Sequence, residues 1–187
     1  MPAAAIGRHR FGSRGGRFIA GRCPATATAS RYAFPCMTPT EPIVISVDLA
    51  VAPACAYTAF TAHFTDWWPA ATHSLSRDDA TRCRFEASVG GAVDEQAPDG
   101  RRHVWGEVLA VEPGRRVRFS WHPGREPASA QWVEVEFLPV AGGSRVTLTH
   151  GGWEALGEIG PLMRQEYLPG WRHLLGRLFA DFAQAGR

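Results

Sequence analysis

The stretch SRVTLTHGGWEALGEIGPLMRQEYLPGWRHLLGRLFADF, residues 144–182, decides the fold because its hydrophobic pattern changes period along its length. At its start polar and apolar residues alternate, with Val146, Leu148 and His150 on one face, which predicts a β-strand. Towards its end apolar residues recur at intervals of three and four, which predicts an amphipathic helix. The apolar positions of that helix are Trp171, Leu174, Leu175, Leu178, Phe179 and Phe182.

The predicted helix extends further back along the chain. Its apolar stripe continues through Ile159, Leu162, Met163 and Tyr167, so we expect the helix to begin near residue 160 and to be kinked at Pro169. A helix with a single apolar stripe buries that stripe against another layer. Since the rest of the chain reads as strands and turns, this helix is predicted to cover one face of a β-sheet.

Seven strands are predicted, separated by short turns rich in Gly, Pro and Asp. They span residues 43–51, 81–87, 92–96, 103–111, 116–122, 131–139 and 144–150. Between the first two, a short helix opens at Pro53 and ends at Trp67-Trp68-Pro69, followed by an irregular segment to residue 79. The pattern therefore predicts an α+β fold, in which a curved antiparallel β-sheet, arranged as a meander, wraps around the long C-terminal helix.

Strand alternation assigns an inner and an outer face. The inner face is predicted to be apolar and free of carboxylates, and the outer face to be charged and in contact with solvent. Inner positions are Cys83, Phe85, Val117, Phe119, Trp121, Val133, Val135 and Phe137. Outer positions are Arg82, Arg84, Glu86, Arg116, Arg118, Ser120, His122, Glu134 and Glu136. We expect Arg and Glu residues on neighbouring strands to pair there.

The N-terminal segment differs in composition from the rest. Residues 1–40 contain six Arg and no acidic residue, a net charge of +6, whereas residues 41–187 carry 14 Arg and 18 acidic residues, a net charge of −4. A targeting peptide, an RNA-binding tail and translation beginning at Met37 are the three interpretations, and we favour the last. We expect residues 1–40, an Arg-rich extension or mis-assigned start, to be disordered and residues 41–187 to form the domain.

Composition excludes several functions. The chain has no Lys and no Asn, which excludes a Walker A lysine, a Schiff-base lysine and N-glycosylation, and which indicates a GC-rich, bacterial gene. The acidic domain argues against a nucleic-acid partner, and no window of 18 apolar residues predicts a membrane span. Four widely spaced cysteines, Cys23, Cys36, Cys55 and Cys83, favour reduced thiols and a cytoplasmic location.

Two residue types suggest a binding site. The chain has seven tryptophans, of which Trp67, Trp68 and Trp153 fall in predicted loops, where a lid over an apolar cavity would need aromatic residues. His150 lies on an apolar strand face, where a buried structural histidine is the commoner outcome and an acid/base role is the alternative. Five other histidines lack metal-ligand spacing, so we expect no metal site and treat them as surface residues. They are His63, His73, His103, His122 and His173.

Several short motifs in a fixed order resemble a known family. They are Ala52-Pro53, Trp67-Trp68, Gly90-Gly91, Asp99-Gly100, WGEVLAVEP at 105–113, RVRFSW at 116–121, SRVTLTH at 144–150 and Gly170-Trp171. Over residues 43–184 the chain resembles the START-like, or SRPBCC, superfamily with its helix-grip fold. Within it, the chain is most similar to the branch named after the C-terminal domain of the heat-shock-protein-90 ATPase activator.

The resemblance implies a cavity between the sheet and the C-terminal helix that binds an apolar small molecule, with no cofactor. We predict that a hydrophobic or aromatic ligand contacts Phe60, Trp67, Trp68, Phe85, Trp105, Phe119, Trp121, Val135, Leu148, His150, Trp153, Tyr167 and Trp171. One alternative is an enzyme of the cyclase, dehydratase or hydrolase type that uses His150 as its acid or base, near a pKa of about 6.5. The other is a chaperone-interaction module, and in each case we expect a monomer or a homodimer.

Overall fold

Seven strands and a C-terminal helical segment dominate residues 40–186, the part of the chain that the computed structural model describes. The strands are Ile43–Leu49 (β1), Arg82–Phe85 (β2), Ala92–Gln96 (β3), Arg102–Glu112 (β4), Arg116–Trp121 (β5), Gln131–Val140 (β6) and Gly143–Gly151 (β7). All seven predicted strands are present, with ends that differ by one or two residues. The disorder that we expected for residues 1–40 falls almost wholly outside the described residues.

The strands form one antiparallel sheet in the order β1-β7-β6-β5-β4-β3-β2. β2 to β7 are a meander, as predicted, whereas β1 pairs with β7 at the sheet edge, where Ile43 faces His150. β1 reaches that edge because the long connection from β1 to β2 carries three short helices. The sheet is curled into a half-barrel around the C-terminal helix, which confirms the α+β helix-grip fold.

The short helices are Pro53–Thr61 (α1), Phe64–Trp67 (α2) and Ala70–His73 (α3). Pro53 occupies the first turn of α1, where its missing N–H leaves no hydrogen bond unmade. The segment predicted to be irregular thus contains α3. A 3₁₀ turn follows later at Pro127–Ser129, and a longer 3₁₀ segment, broken at Gly157, at Trp153–Ile159.

The C-terminal segment consists of Gly160–His173 (α4), a π-helical turn Leu174–Phe179 and Ala180–Ala185 (α5). The start at Gly160 agrees with the prediction. Pro169 lies inside α4, and the wider π-helical turn begins five residues beyond it. None of the helices within residues 40–186 is both long and apolar enough to cross a membrane.

The predicted inner positions are all buried, and the outer face carries the predicted ion pairs. Arg116 donates to Glu134 at 3.0 Å across β5 and β6. His122 is an exception, because it is 7% exposed although we predicted it on the solvated face. The turn that follows β5 brings Arg125 back to His122, whose Nδ1 lies 3.0 Å from the Arg125 carbonyl oxygen, and so covers the ring.

The expectation that the inner face holds no carboxylate is wrong. Glu95 of β3 is fully buried there, and its two carboxylate oxygens accept hydrogen bonds from the backbone N–H groups of Leu75 (2.7 Å) and Ser76 (2.9 Å). Glu95 lies opposite Cys83, a predicted inner position of β2, so alternation along β3 places it on the inner face. The neighbouring Asp94 lies opposite Arg84 on the outer face and is buried as well.

Candidate functional site

A cavity of about 340 Å³ is bounded by α4, by the inner faces of β4 and β5 and by the segment that follows α2. Its volume lies at the lower end of the range typical of small-molecule sites. The lining residues are Trp68, His73, Ser74, Leu75, Trp105, Trp121, Pro123, Glu166, Tyr167, Gly170, Trp171 and Leu174.

Four indole rings form most of the apolar wall. Trp68 contacts the other three, with ring centroids 5.4 Å from Trp105, 5.9 Å from Trp121 and 6.1 Å from Trp171. The Trp68 indole is itself fixed, because its Nε1 donates a hydrogen bond of 2.9 Å to the carbonyl oxygen of His73. This wall suits flat aromatic surfaces, since tilted and edge-on contacts between rings are favourable.

The segment after α3 closes one side of the cavity. Glu95 holds the backbone of this segment at Leu75 and Ser76, as described above. The Leu75 side chain extends over the turn after β5, and a Cβ atom at Gly124 would lie 3.0 Å from its Cδ2. The buried carboxylate therefore positions a piece of cavity wall that has no periodic structure of its own.

The few polar side chains of the cavity are His73, Ser74, Glu166 and Tyr167. Nδ1 of His73 is 2.8 Å from the Thr72 hydroxyl oxygen. Partial burial, and to a lesser degree the nearby His173, lower the pKa of His73 below its usual value. The imidazole of His73 is therefore neutral at neutral pH.

His150 lies behind this cavity and does not line it. Its ring is fully buried, stacks on Trp153 at a centroid distance of 4.1 Å and meets the edge of Tyr167. Its Nδ1 accepts a hydrogen bond of 2.8 Å from Nε1 of Trp171. Burial, with a smaller contribution from Arg125, lowers the pKa of His150 to about 3, so it does not titrate near 6.5 as the enzyme alternative required.

The structure brings five of the predicted ligand-contacting residues together on the cavity. They are Trp68, Trp105, Trp121, Tyr167 and Trp171. The other eight belong to the hydrophobic core around it: Phe60, Trp67, Phe85, Phe119, Val135, Leu148, His150 and Trp153. Trp153, expected in a lid, is wholly buried, and its Nε1 donates to the His150 carbonyl oxygen at 3.1 Å.

Sequence reasoning missed seven lining residues, namely His73, Ser74, Leu75, Pro123, Glu166, Gly170 and Leu174. Helical spacing could have identified three of them. Glu166, Gly170 and Leu174 follow one another at intervals of four, beside Tyr167 and Trp171, and so share their side of the helix. No comparable signal marks His73, Ser74, Leu75 or Pro123, because they lie in irregular segments or at the end of a very short helix.

A second concavity, a broad groove of about 840 Å³, lies between α1 and the end of α5. It is lined mostly by small residues, with Phe182 as its aromatic member and with the exposed thiol of Cys55. Among residues 40–186, no group of three or more His, Cys, Asp or Glu side chains is arranged to hold a metal ion.

A family model matches residues 50–180, which is more than half of the chain. The family is described as "Activator of Hsp90 ATPase homolog 1-like protein". A comparison with proteins of curated function gives no match.

Solved structures share the fold. A protein from Mesorhizobium loti is 16% identical, with a TM-score of 0.58, over 79% of this chain and 99% of that one. The Aha1 dimer from Colwellia psychrerythraea is 18% identical, with a TM-score of 0.54, over 79% and 99%.

A third structure belongs to a protein named as an enzyme. It is Txn09, an anthrahydroquino-gama-pyrone synthase in complex with a compound abbreviated SUM. It is 27% identical to this chain, with a TM-score of 0.52, over 77% of this chain and 97% of that one. The family match and the shared helix-grip architecture lead to one conclusion: the chain belongs to the family of proteins like the activator of Hsp90 ATPase homolog 1.

Proposed function

We propose that this protein binds an apolar, aromatic small molecule in the cavity of about 340 Å³ between sheet and helix. The observation that carries the proposal is the composition of its wall. Trp68, Trp105, Trp121 and Trp171 provide a large apolar surface, and a few polar groups stand among them. A mostly apolar cavity with few polar groups is the usual form of a small-molecule site.

The surroundings of His150 support binding rather than acid/base catalysis by this residue. A general acid or base works best when its pKa lies near the working pH, and the pKa of His150 is about 3. Its Nδ1 is already occupied by the Trp171 indole. We therefore assign His150 the role of positioning Trp171, which lines the cavity.

An enzymatic role is the second candidate function. It is supported by the similarity to Txn09, which is named as a synthase and was solved with a bound compound. For this chain, such chemistry would fall to His73, Glu166 or Tyr167, the titratable groups of the cavity wall. Turnover of the bound compound, once it is identified, separates an enzyme from a carrier. The interaction-module alternative predicts no bound compound.

Gly170 offers a direct test of the site. It lines the cavity, and a Cβ atom added there has no heavy atom within 4 Å, so a larger side chain enters open space. Gly170→Leu should fill part of the cavity without disturbing the fold. Gly176→Leu is the matched control, because Gly176 lies in the same helical segment, is equally unobstructed and does not line the cavity.

The measurement is a fluorescence titration of the full chain with N-phenyl-1-naphthylamine, a neutral apolar probe that brightens away from water. We expect saturable binding by the wild type and by Gly176→Leu, and weakening of at least tenfold in Gly170→Leu. Native mass spectrometry of protein purified without detergent should show a compound lost on denaturation. If Gly170→Leu bound the probe as tightly as the wild type, the probe would have to bind another surface, such as the groove beside α1. That result would overturn the proposal.

We further propose that residues 41–187 form the working domain, in the cytoplasm, as a monomer or a homodimer. The dimeric state of the Colwellia psychrerythraea protein is the reason to include the homodimer. Light scattering coupled to size-exclusion chromatography distinguishes the two states by mass, since one chain is 20.4 kDa.

A further inference from the structure

The buried indole N–H groups of this protein fall into two sets. Those of Trp67, Trp68, Trp153 and Trp171 each have an acceptor within the chain. Those of Trp105 and Trp121 have none among residues 40–186, although the two residues are only 1% and 4% exposed. Buried donors in native proteins nearly always have a partner, so two unpaired N–H groups in one place call for an explanation.

Both unpaired indoles belong to the cavity wall. Trp105 of β4 and Trp121 of β5 are neighbours on the inner face, with ring centroids 5.7 Å apart. Their nitrogens are shielded from water, so solvent does not supply the missing acceptor. The paired indoles of the same wall, Trp68 and Trp171, show that the chain provides acceptors elsewhere around this cavity.

We infer that the ligand itself supplies the acceptor: an aromatic molecule with a carbonyl or comparable neutral oxygen on the edge that faces β4 and β5. This inference rests on the proposed function and adds the chemical class of the ligand. A neutral oxygen fits better than a carboxylate, because the wall carries the carboxylate of Glu166 and neither Arg nor Lys. Because both nitrogens are shielded, the inference requires the two rings to rotate slightly towards the cavity when the ligand enters.

The test compares 1-indanone with indane, two bicyclic molecules of nearly the same shape that differ by one carbonyl oxygen. Both are titrated against the full chain by displacement of N-phenyl-1-naphthylamine. We expect indanone to bind roughly three- to tenfold more tightly than indane, the range for one neutral hydrogen bond. Trp105→Phe and Trp121→Phe should each reduce that ratio towards one, since they keep an aromatic ring and remove the N–H group.

Trp68→Phe is the matched control. It also removes an indole from the cavity wall, but one whose N–H already has an acceptor, so the indanone-to-indane ratio should stay as in the wild type. A second measurement needs no variant for its readout. In ¹H–¹⁵N spectra of the wild type, the indole signals of Trp105 and Trp121 should move downfield with indanone and not with indane.

The outcomes separate this inference from the proposed function. If indane and indanone bind with the same affinity and have the same effect on the indole signals of Trp105 and Trp121, the acceptor inference is wrong while the binding function stands. If neither molecule displaces the probe and the probe itself does not bind, the proposed function is overturned and the inference with it. If Trp68→Phe lowered the indanone-to-indane affinity ratio as much as Trp105→Phe and Trp121→Phe do, the acceptor inference would also be wrong. The two unpaired N–H groups would then contribute no more to binding than a paired one.

Discussion

Nδ1 of His150 accepts a hydrogen bond of 2.8 Å from Nε1 of Trp171. Because an indole nitrogen only donates, the imidazole is neutral and carries its proton on Nε2. The bond joins the last strand of the sheet to the helix that the sheet surrounds. A fully buried His150 thus determines where a cavity-lining ring stands.

Replacing His150 by leucine should lower the free energy of unfolding by about 1–3 kcal/mol, because the buried N–H of Trp171 then has no acceptor. The measurement is urea unfolding followed by circular dichroism. His150→Asn is the control, since its side-chain oxygen takes a place close to Nδ1 and restores the acceptor. In a Trp171→Phe background, His150→Leu should cost clearly less, and an unchanged cost there would show that this hydrogen bond contributes nothing.

Stability should fall as the pH falls below about 6.5. The folded state keeps His150 neutral down to a pKa of about 3, whereas the unfolded chain takes up a proton near 6.5, so protons favour unfolding between these values. From pH 7 to pH 5 we expect a loss of about 2 kcal/mol from this residue.

The partly buried His73, whose pKa is also lowered, contributes in the same direction. The comparison of wild type with His150→Leu at each pH therefore isolates the contribution of His150. Parallel stability curves for the two proteins between pH 7 and pH 5 would contradict the buried, neutral state of the ring.

Glu95→Gln should loosen the cavity wall at Leu75 and Ser76. A carboxylate accepts both backbone N–H groups, whereas an amide offers one oxygen and turns its NH₂ group towards the other donor. We expect hydrogen exchange at these two amides to be about tenfold faster or more, corresponding to about 1.4 kcal/mol. Glu158→Gln, an exposed substitution in another part of the chain, should leave these rates unchanged.

Replacement by asparagine should lower the free energy of unfolding by very different amounts at two aspartates. Asp94 is 1% exposed and receives hydrogen bonds from both Arg84 and Arg102, so Asp94→Asn should cost about 1.5–3 kcal/mol. Asp48 pairs with Arg145 on the exposed surface of the sheet, and its replacement should have no measurable effect on stability. Thermal unfolding of the two variants provides the comparison, and similar melting temperatures would contradict it.

The strand faces and the C-terminal helix are predictable because they are periodic. Alternation along β5 and β6 is enough to place Val117 and Val133 inside and Glu134 outside. The stripe that contains Trp171 and Leu174 likewise identifies the helix face that meets the sheet. In these stretches, the side that a residue occupies follows from its neighbours in the sequence, whereas Ile159 and Leu162, assigned to the same stripe, are exposed.

The rest of the site depends on contacts between distant residues. Leu75 becomes part of the cavity wall because Glu95, twenty residues later, binds its backbone. Alternation opposite Cys83 is enough to place Glu95 inside, but the sequence does not show which backbone groups it binds. His73, Ser74 and Pro123 have no periodic neighbours to place them. Trp153 is buried rather than in a lid because its indole reaches back to His150.

The π-helical turn Leu174–Phe179 sets the rotational phase between the two halves of the C-terminal segment. Ahead of it, Gly170 and Trp171 face the cavity; at its end, Phe179 packs against Phe60 of α1, with ring centroids 5.5 Å apart. An α-helix advances about 100° per residue, so a chain one residue shorter here would turn one half away from its partners. The extra residue of the π-helical turn therefore allows one continuous helical segment to line the cavity with its first half and to pack into the far end of the core with its second half.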